Sequence, residues 1–226
     1  FDGIIPPSAS KMIRNAQAGI ALEDGIVSKA ALYALAIMEY SNASGVVVCM
    51  PTAGASGTVG GALVAAAEKL GASDQQVEDA LLAAGAVGVS ITEDNDFCGG
   101  VYGCQAEVGC ASAMAAAGLV TLAGGRAEEA INAASMALQN MLGLICDPVC
   151  GLVQVPCFAR NMAGVSNAVV CANMSMLGFP AVIPLQDTFQ AMKRSGEILP
   201  MTLRGCGGGL AETKTGKCLL HSYYNK

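Results

Sequence analysis

The sequence holds one histidine and no tryptophan, aromatic residues make up 4% of it, and only 13% of its residues are charged. A single histidine excludes histidine-rich zinc sites, and no two cysteines form a C-x-x-C pair, which removes zinc ribbons and thioredoxin-type motifs. The twelve basic residues form no cluster and the net charge is −6, so the chain carries no electrostatic footprint for a nucleic acid. The longest nearly apolar run, "ASAMAAAGLVTLAGG" at 111–125, is rich in small residues and shorter than the roughly 20 that cross a bilayer. No basic segment followed by an apolar one opens the chain, so no signal peptide is expected, and a soluble, cytoplasmic protein with no membrane partner is the expectation. The chain begins at Phe1 rather than Met and reads as a fragment or processed piece.

What the sequence has in quantity is alanine, glycine and sulfur. Over 226 residues, a 53% hydrophobic fraction suffices for one sizeable core. With bulky β-formers scarce, small side chains point to helices in close contact. The expected fold is all-α, a single helical domain over residues 1–226 with Gly-rich loops and about eight helices.

Ser8 and Ser10 are candidate N-caps at the start, and the segment from Asp24 reads as a helix stopping near Asn42 to Gly45. "VVVCM" then enters the Gly-rich "PTAGASGTVGG", with the helical "ALVAAAEKLG" behind it. Ser73-Asp74 caps a helix with Val77, Leu81, Leu82 and Ala84 at helical spacing, and "TEDNDFCGG" is polar punctuation after it. The segment 101–123 is almost uncharged, Glu107 its lone carboxylate, and reads as a buried helix. A further helix carries Glu128 and Glu129 in its first turn, where the dipole favours them. "CDPVCGLVQVPC" at 146–157 is broken by Pro148 and Pro156. Two more helical segments follow, and the tail opens Gly-rich and ends polar.

Three features are candidates for chemistry. The first is the ten cysteines, which in an intracellular chain are thiols or metal ligands rather than disulfides, each also readable as a small buried hydrophobe. Cys98, Cys104 and Cys110 recur every six residues and would point to different sides of one helix, whereas the proline-broken stretch around Cys146, Cys150 and Cys157 can aim several thiolates inward. The second is "PTAGASG" at 51–57, either an anion-binding helix start or a tight turn whose glycines let helices pack. The third is Glu107, a structural hydrogen-bonding group or an acid/base. His221 near the end reads as exposed and passive.

Taken together, "MPTAGASG", "YGCQAEVGCASAMAAAGLV", "NMLGLICDPVCGLVQVPCFARNMAGVSNAV" and "GGLAETKTGK" resemble the alpha subunit, or catalytic domain, of the iron–sulfur-dependent L-serine dehydratases. The resemblance covers the chain from about Ala9 to Lys217, and its most specific part is the pairing of "GCQAEVG" with "CDPVxGLVxVPC". It implies that Cys104, Cys146 and Cys157 hold a four-iron four-sulfur cluster whose fourth iron has no protein thiolate. That iron would act as Lewis acid on the substrate's hydroxyl while a base takes the α-proton; elimination gives aminoacrylate, whose imine hydrolyses to pyruvate and ammonia. Cys110 and Cys150 are not required by the pattern and read as packing neighbours.

The resemblance also implies L-serine as substrate, a small beta subunit as partner, an oligomer, and a role in amino-acid degradation. Where the family shows "RETxxGGLA", this chain has "RGCGGGLA" at 204–211, so no role is carried to that loop. The general base is left unassigned among Glu107, Lys214, His221 and a residue of the partner. Thr52, Gly54, Ser56 and Gly57 are the candidates for holding the substrate carboxylate. Threonine or cysteine as substrate is the nearest alternative, and a non-catalytic iron–sulfur or thiol sensor is the alternative from another class.

Overall fold

The computed structural model describes residues 3–23, 25–91 and 97–225. Among them the chain is helical, and the only β-type pairing is a single bridge between Cys146 and Arg204. The helices are α1 (Ala9–Gln17), α2 (Ile26–Asn42), α3 (Ser56–Leu70), α4 (Asp74–Ile91), the single turn α5 (Gly99–Tyr102), α6 (Cys110–Leu122), α7 (Ala127–Gln139), α8 (Cys157–Met176), α9 (Leu185–Ile198) and α10 (Lys214–Tyr224). The all-α expectation holds. The expected helix start at Asp24 and most of the "TEDNDFCGG" punctuation lie outside the described residues.

Helix α6 is the axis of the fold. Every residue in it except Thr121 is buried, and it packs against α3, α4, α7 and α8. Small residues make that possible, because a helix surrounded on all sides must let neighbouring backbones come close. A Cβ at Gly118 would stand 2.9 Å from the carbonyl oxygen of Ala80 on α4. The α2–α3 contact follows the same rule: a Cβ at Gly61 would lie 2.7 Å from the backbone nitrogen of Ala34 and 2.8 Å from the carbonyl oxygen of Ala30. The stretch Gln105–Leu122 is long and apolar enough to cross a membrane, but 89% of it is buried inside the protein.

Helix starts use local chemistry. Ser8 occupies the N-cap position of α1, yet the capping acceptor comes from α2: Glu39 takes the backbone N–H groups of Ser8 (2.6 Å) and Ala9 (3.1 Å). Ser73 and Gln76 close a reciprocal box before α4. Glu129 accepts from the Arg126 backbone at 2.7 Å and also from its guanidinium. The polar tail holds a helix, α10, whose start is capped by Thr213 accepting the Gly216 N–H at 3.0 Å.

The segment 101–123 is not one helix. It breaks at Gly103, which has φ +82° and sits where a Cβ would be 2.7 Å from the Leu144 carbonyl oxygen. Both the left-handed backbone and the close approach require glycine. The chain then makes a π-turn, Gln105–Gly109, before α6 begins. Such turns displace one residue from the helical ladder and occur often at functional sites.

Candidate active site

Cys104 stands at the break just described, between Gly103 and the π-turn. Gln105 next to it is fully buried and ties this corner to the loop that follows α7. Its backbone N–H donates to Leu144 O (2.9 Å), its Oε1 accepts from Gly143 N–H (2.9 Å), and its Nε2 donates to Tyr102 O (2.8 Å). The loop thus fastened carries Cys146. That residue is held from its other side by the 199–212 segment, with Cys146 N–H donating to Leu203 O (2.8 Å) and Gly205 N–H to Cys146 O (2.6 Å). Cys157 is the first residue of α8, after Pro156. The two prolines do what the sequence suggested: Pro148 precedes a single 3-10 turn, Val149–Gly151, and Pro156 precedes α8.

Cys104 and Cys146 are hydrogen-bonding neighbours, and Cys157 is near enough to feel the charge of Cys104, Glu107 and Arg160. The Cys104 thiol is pushed well above its ordinary pKa by its hydrogen bond with Cys146, by burial and by the negative charges of Cys146 and Glu107, with Arg160 opposing. Burial, then Cys104 and Glu107, push the Cys157 thiol up to about 12. No three Cys, His, Asp or Glu side chains among the described residues are close enough to share one metal ion.

One cation serves the group. Arg160, on the first turns of α8, donates through Nη1 to Cys104 Sγ (3.5 Å) and Ile145 O (2.9 Å), and its Nη2 pairs with Asp147 Oδ1 at 2.8 Å. Burial works against its charge, but Cys104 and Asp147 outweigh that and raise its pKa. The Asp147 side chain, 2% exposed, uses its second oxygen to accept the Leu210 N–H at 2.9 Å. A Cβ at Gly209 would fall 2.5 Å from that oxygen. A single buried ion pair therefore links Cys104, the Cys146 loop and the C-terminal segment.

Glu107 lies in the same place. Its carboxyl is raised in pKa by burial, against the lowering effects of the Gly99 backbone N–H, the Thr52 hydroxyl, Arg160 and Cys104. Cys104 Sγ is 3.9 Å from Glu107 Oε2.

A family model described as "Serine dehydratase alpha chain" matches residues 1–211. The chain belongs to that family. It is 42% identical over 216 residues to the "Probable L-serine dehydratase, alpha chain" of Bacillus subtilis, covering 95% of this chain and 72% of that one. To the "L-serine dehydratase, alpha chain" of Peptoniphilus asaccharolyticus it is 40% identical over 210 residues, 92% of this chain and 72% of the other. A "Probable L-serine dehydratase, alpha chain" of Latilactobacillus sakei is 43% identical over 195 residues, 86% of this chain and 93% of its own length.

Within this alpha-chain fold the Gly-rich loop divides. Thr52 and Gly54 border the thiol site: the Thr52 hydroxyl lies beside Glu107, and a Cβ at Gly54 would be 3.3 Å from Glu107 Oε2. Ser56 and Gly57 face the other way. Ser56 Oγ turns back onto Ala53 O (2.9 Å) and Met38, and a Cβ at Gly57 would lie 2.5 Å from Ala34 O on α2. Of the residues weighed as base, Glu107 borders the thiols, while Lys214 and His221 are exposed on α10. Cys110 is buried in α6, and Cys150 is buried in a left-handed turn (φ 59°) with its carbonyl accepting from Tyr224. Arg204 and Cys206 of the altered "RGCGGGLA" loop do not enter the thiol group's hydrogen bonds: the Arg204 guanidinium is spent on Leu199 O and Glu197 O, and Cys206 contacts Arg204 O.

Sequence reasoning missed Arg160, Asp147 and Asn161. Asn161 is fully buried and donates to Gly54 O (2.8 Å) and Cys157 O (2.9 Å) while accepting from Thr58 (2.9 Å), so it joins the Gly-rich loop to the start of α8. The available signal was the Arg-Asn pair that begins three positions after Cys157, two strongly polar residues in the first turns of a largely apolar helix.

Proposed function

We propose that the chain is the alpha subunit of an L-serine ammonia-lyase, which converts L-serine to pyruvate and ammonia, and that Cys104, Cys146 and Cys157 hold a four-iron four-sulfur cluster. The observation that carries this reading is that thiols from three separate elements gather beside one buried guanidinium. The donor set fits in kind, since soft thiolates are the ligands of iron–sulfur clusters. A cluster held by three thiolates supplies an open iron as Lewis acid for the departing hydroxyl.

The chain's own residues do the rest. Arg160 offsets the negative charge that gathers on Cys104 when its thiol is ionised, and Asp147 fixes the direction of that guanidinium. The buried face of α6 and its π-turn keeps water from the thiols. Thr52 and Gly54 line the approach from the Gly-rich loop. The relatives' designation as alpha chains supports a second chain as partner in the working enzyme.

The test is deamination by the chain loaded anaerobically with iron and sulfide and combined with its partner chain, offered L-serine, L-threonine and L-cysteine in turn. Pyruvate from serine as the fastest product is expected. Keto acid from threonine or cysteine alone, or none from a fully loaded protein, contradicts the assignment.

A further inference from the structure

The segment before α1 is held by side chains from elsewhere in the chain. Residues 3–8 lie in no helix or strand, and the backbone donors from Ile4 to Ser8 can all be accounted for. The Ile4 and Ile5 N–H groups both donate to Gln154 Oε1 (2.8 and 3.1 Å), and the Ser8 N–H donates to Glu39 on α2 (2.6 Å). Pro6 and Pro7, between these two anchors, have no N–H and are exposed. The span is not packed solid underneath: Ile5 and Pro7 border a cavity of about 290 Å³ together with Ala36, Glu39 and Phe158. Two anchors and a stiff Pro-Pro link therefore hold the segment down.

The anchor at Gln154 belongs to the turn that opens α8. Gln154 lies three positions before Cys157, and its carbonyl accepts the Phe158 N–H at 2.9 Å. Cys157 and Phe158 are buried in a small apolar cluster with Ala9, Leu35 and Met38, distinct from the main core, and Ile5 packs against it. Gln154 itself is fully buried, yet its Nε2 has no hydrogen-bond partner among the described residues. A buried amide satisfied at one end only is costly, and a methionine would fill the same space without that cost. What offsets it is the pair of N–H groups that Oε1 takes from Ile4 and Ile5.

We infer that segment 3–8 is a strap over the start of α8 and that Gln154 is its latch, a positioning residue that keeps Cys157 buried and in place for the cluster. The role toward the cluster rests on the reading of Cys157 as a ligand, whereas the strap itself does not. With the latch released, Ile4 and Ile5 come free, the small apolar cluster loses its cover and Cys157 opens to solvent. Cys110 and Cys171, buried in the main core, stay closed.

The experiment is alkylation of the native, reduced chain by iodoacetamide, read cysteine by cysteine through peptide mass spectrometry, first without the cluster and then with it loaded anaerobically. In the cluster-free parent, Cys110, Cys157 and Cys171 are all protected. Gln154→Met keeps the size and removes the acceptor; it is expected to raise the Cys157 rate by about 10-fold, the worth of two lost hydrogen bonds, with Cys110 and Cys171 within about twofold of the parent. Equal rises at all three thiols would show global loosening, and no rise at Cys157 would show that the strap does not guard it; either overturns the inference. Ile5→Ala raises Cys157 alone by a smaller factor and decides in the same way if Gln154→Met fails to fold. In the loaded Gln154→Met protein, Cys157 is shielded again and iron leaves in air faster than from the parent. Iron that leaves no faster overturns the positioning role. Alkylation of Cys157 undiminished by the bound cluster contradicts its assignment as a ligand while the strap stands, so the two readings fail separately.

Discussion

Helix α6 and the loop from Leu144 to Cys157 are built in opposite ways. Helix α6 is regular, uncharged and buried except at Thr121, and its one internal polar group, the Ser112 hydroxyl, is spent on Gly164 O at 2.8 Å. The loop is irregular, carries Cys146 and Asp147, and is fastened at Leu144, Ile145, Cys146 and Asp147 by hydrogen bonds from elsewhere in the chain. An α-helix displays its residues at fixed angles, so it makes a good wall and a poor convergent ligand set. Thiols meet where helical regularity stops: Cys104 at the Gly103 break, Cys146 in the loop, Cys157 at the first position of α8. The wall is stabilised by apolar packing, whereas the loop is stabilised by a buried charge pair and backbone hydrogen bonds.

The sharpest way to break this contrast is to exchange a thiol in each region. Cys146→Ala is expected to abolish iron loading and lower serine turnover by more than about 100-fold, beyond the roughly 10- to 100-fold that loss of an outer partner of a metal site produces. Cys110→Ala in α6 keeps iron, measured as iron and sulfide per chain, and costs only about 1 kcal/mol of stability for the lost burial. Next in size is Asp147→Asn, which leaves Arg160 buried without its counter-charge and removes a strong acceptor from Leu210. Urea unfolding should show about 3 kcal/mol lost, and limited proteolysis should cut the 204–212 segment faster than in the parent.

The wall gives a smaller number by a different mechanism. Gly118→Ala places a methyl group 2.9 Å from Ala80 O and is expected to cost about 2 kcal/mol by overpacking, with turnover per loaded cluster unchanged. The smallest effect belongs to a helix start on another helix pair. Glu39→Ala removes the acceptor at the start of α1 and should cost about 1 kcal/mol in thermal or urea unfolding while serine turnover stays the same.

The same contrast explains what was legible in the sequence. The abundance of small residues announced close helix packing, and Gly61 and Gly118 show it. The thiols could be picked out because a long, specific pattern surrounds them. The break at Gly103 could not, since it depends on the Leu144 carbonyl, a contact made forty-one positions away. Helix α10 was hidden by its polar composition, although Thr213 followed three positions later by Gly216 is where its cap closes. The Gly-rich loop read as one feature, either an anion-binding helix start or a tight turn that lets helices pack, but its residues face two ways: Thr52 and Gly54 toward Glu107, Ser56 and Gly57 toward α2. Nothing in a linear pattern says which side of a turn each residue meets. Arg160 and Asp147 escaped notice for a related reason, because an ion pair closed across a folded loop leaves no spacing rule behind.

The most direct measurement is an iron spectrum, by Mössbauer spectroscopy, of the cluster-loaded chain with its partner, recorded as L-serine is added. The account predicts that one iron of the four changes its signal on saturation with serine, and that the change is lost when Cys146 is replaced. Four irons that keep their signals through the titration, with the partner present and the cluster intact, would contradict it.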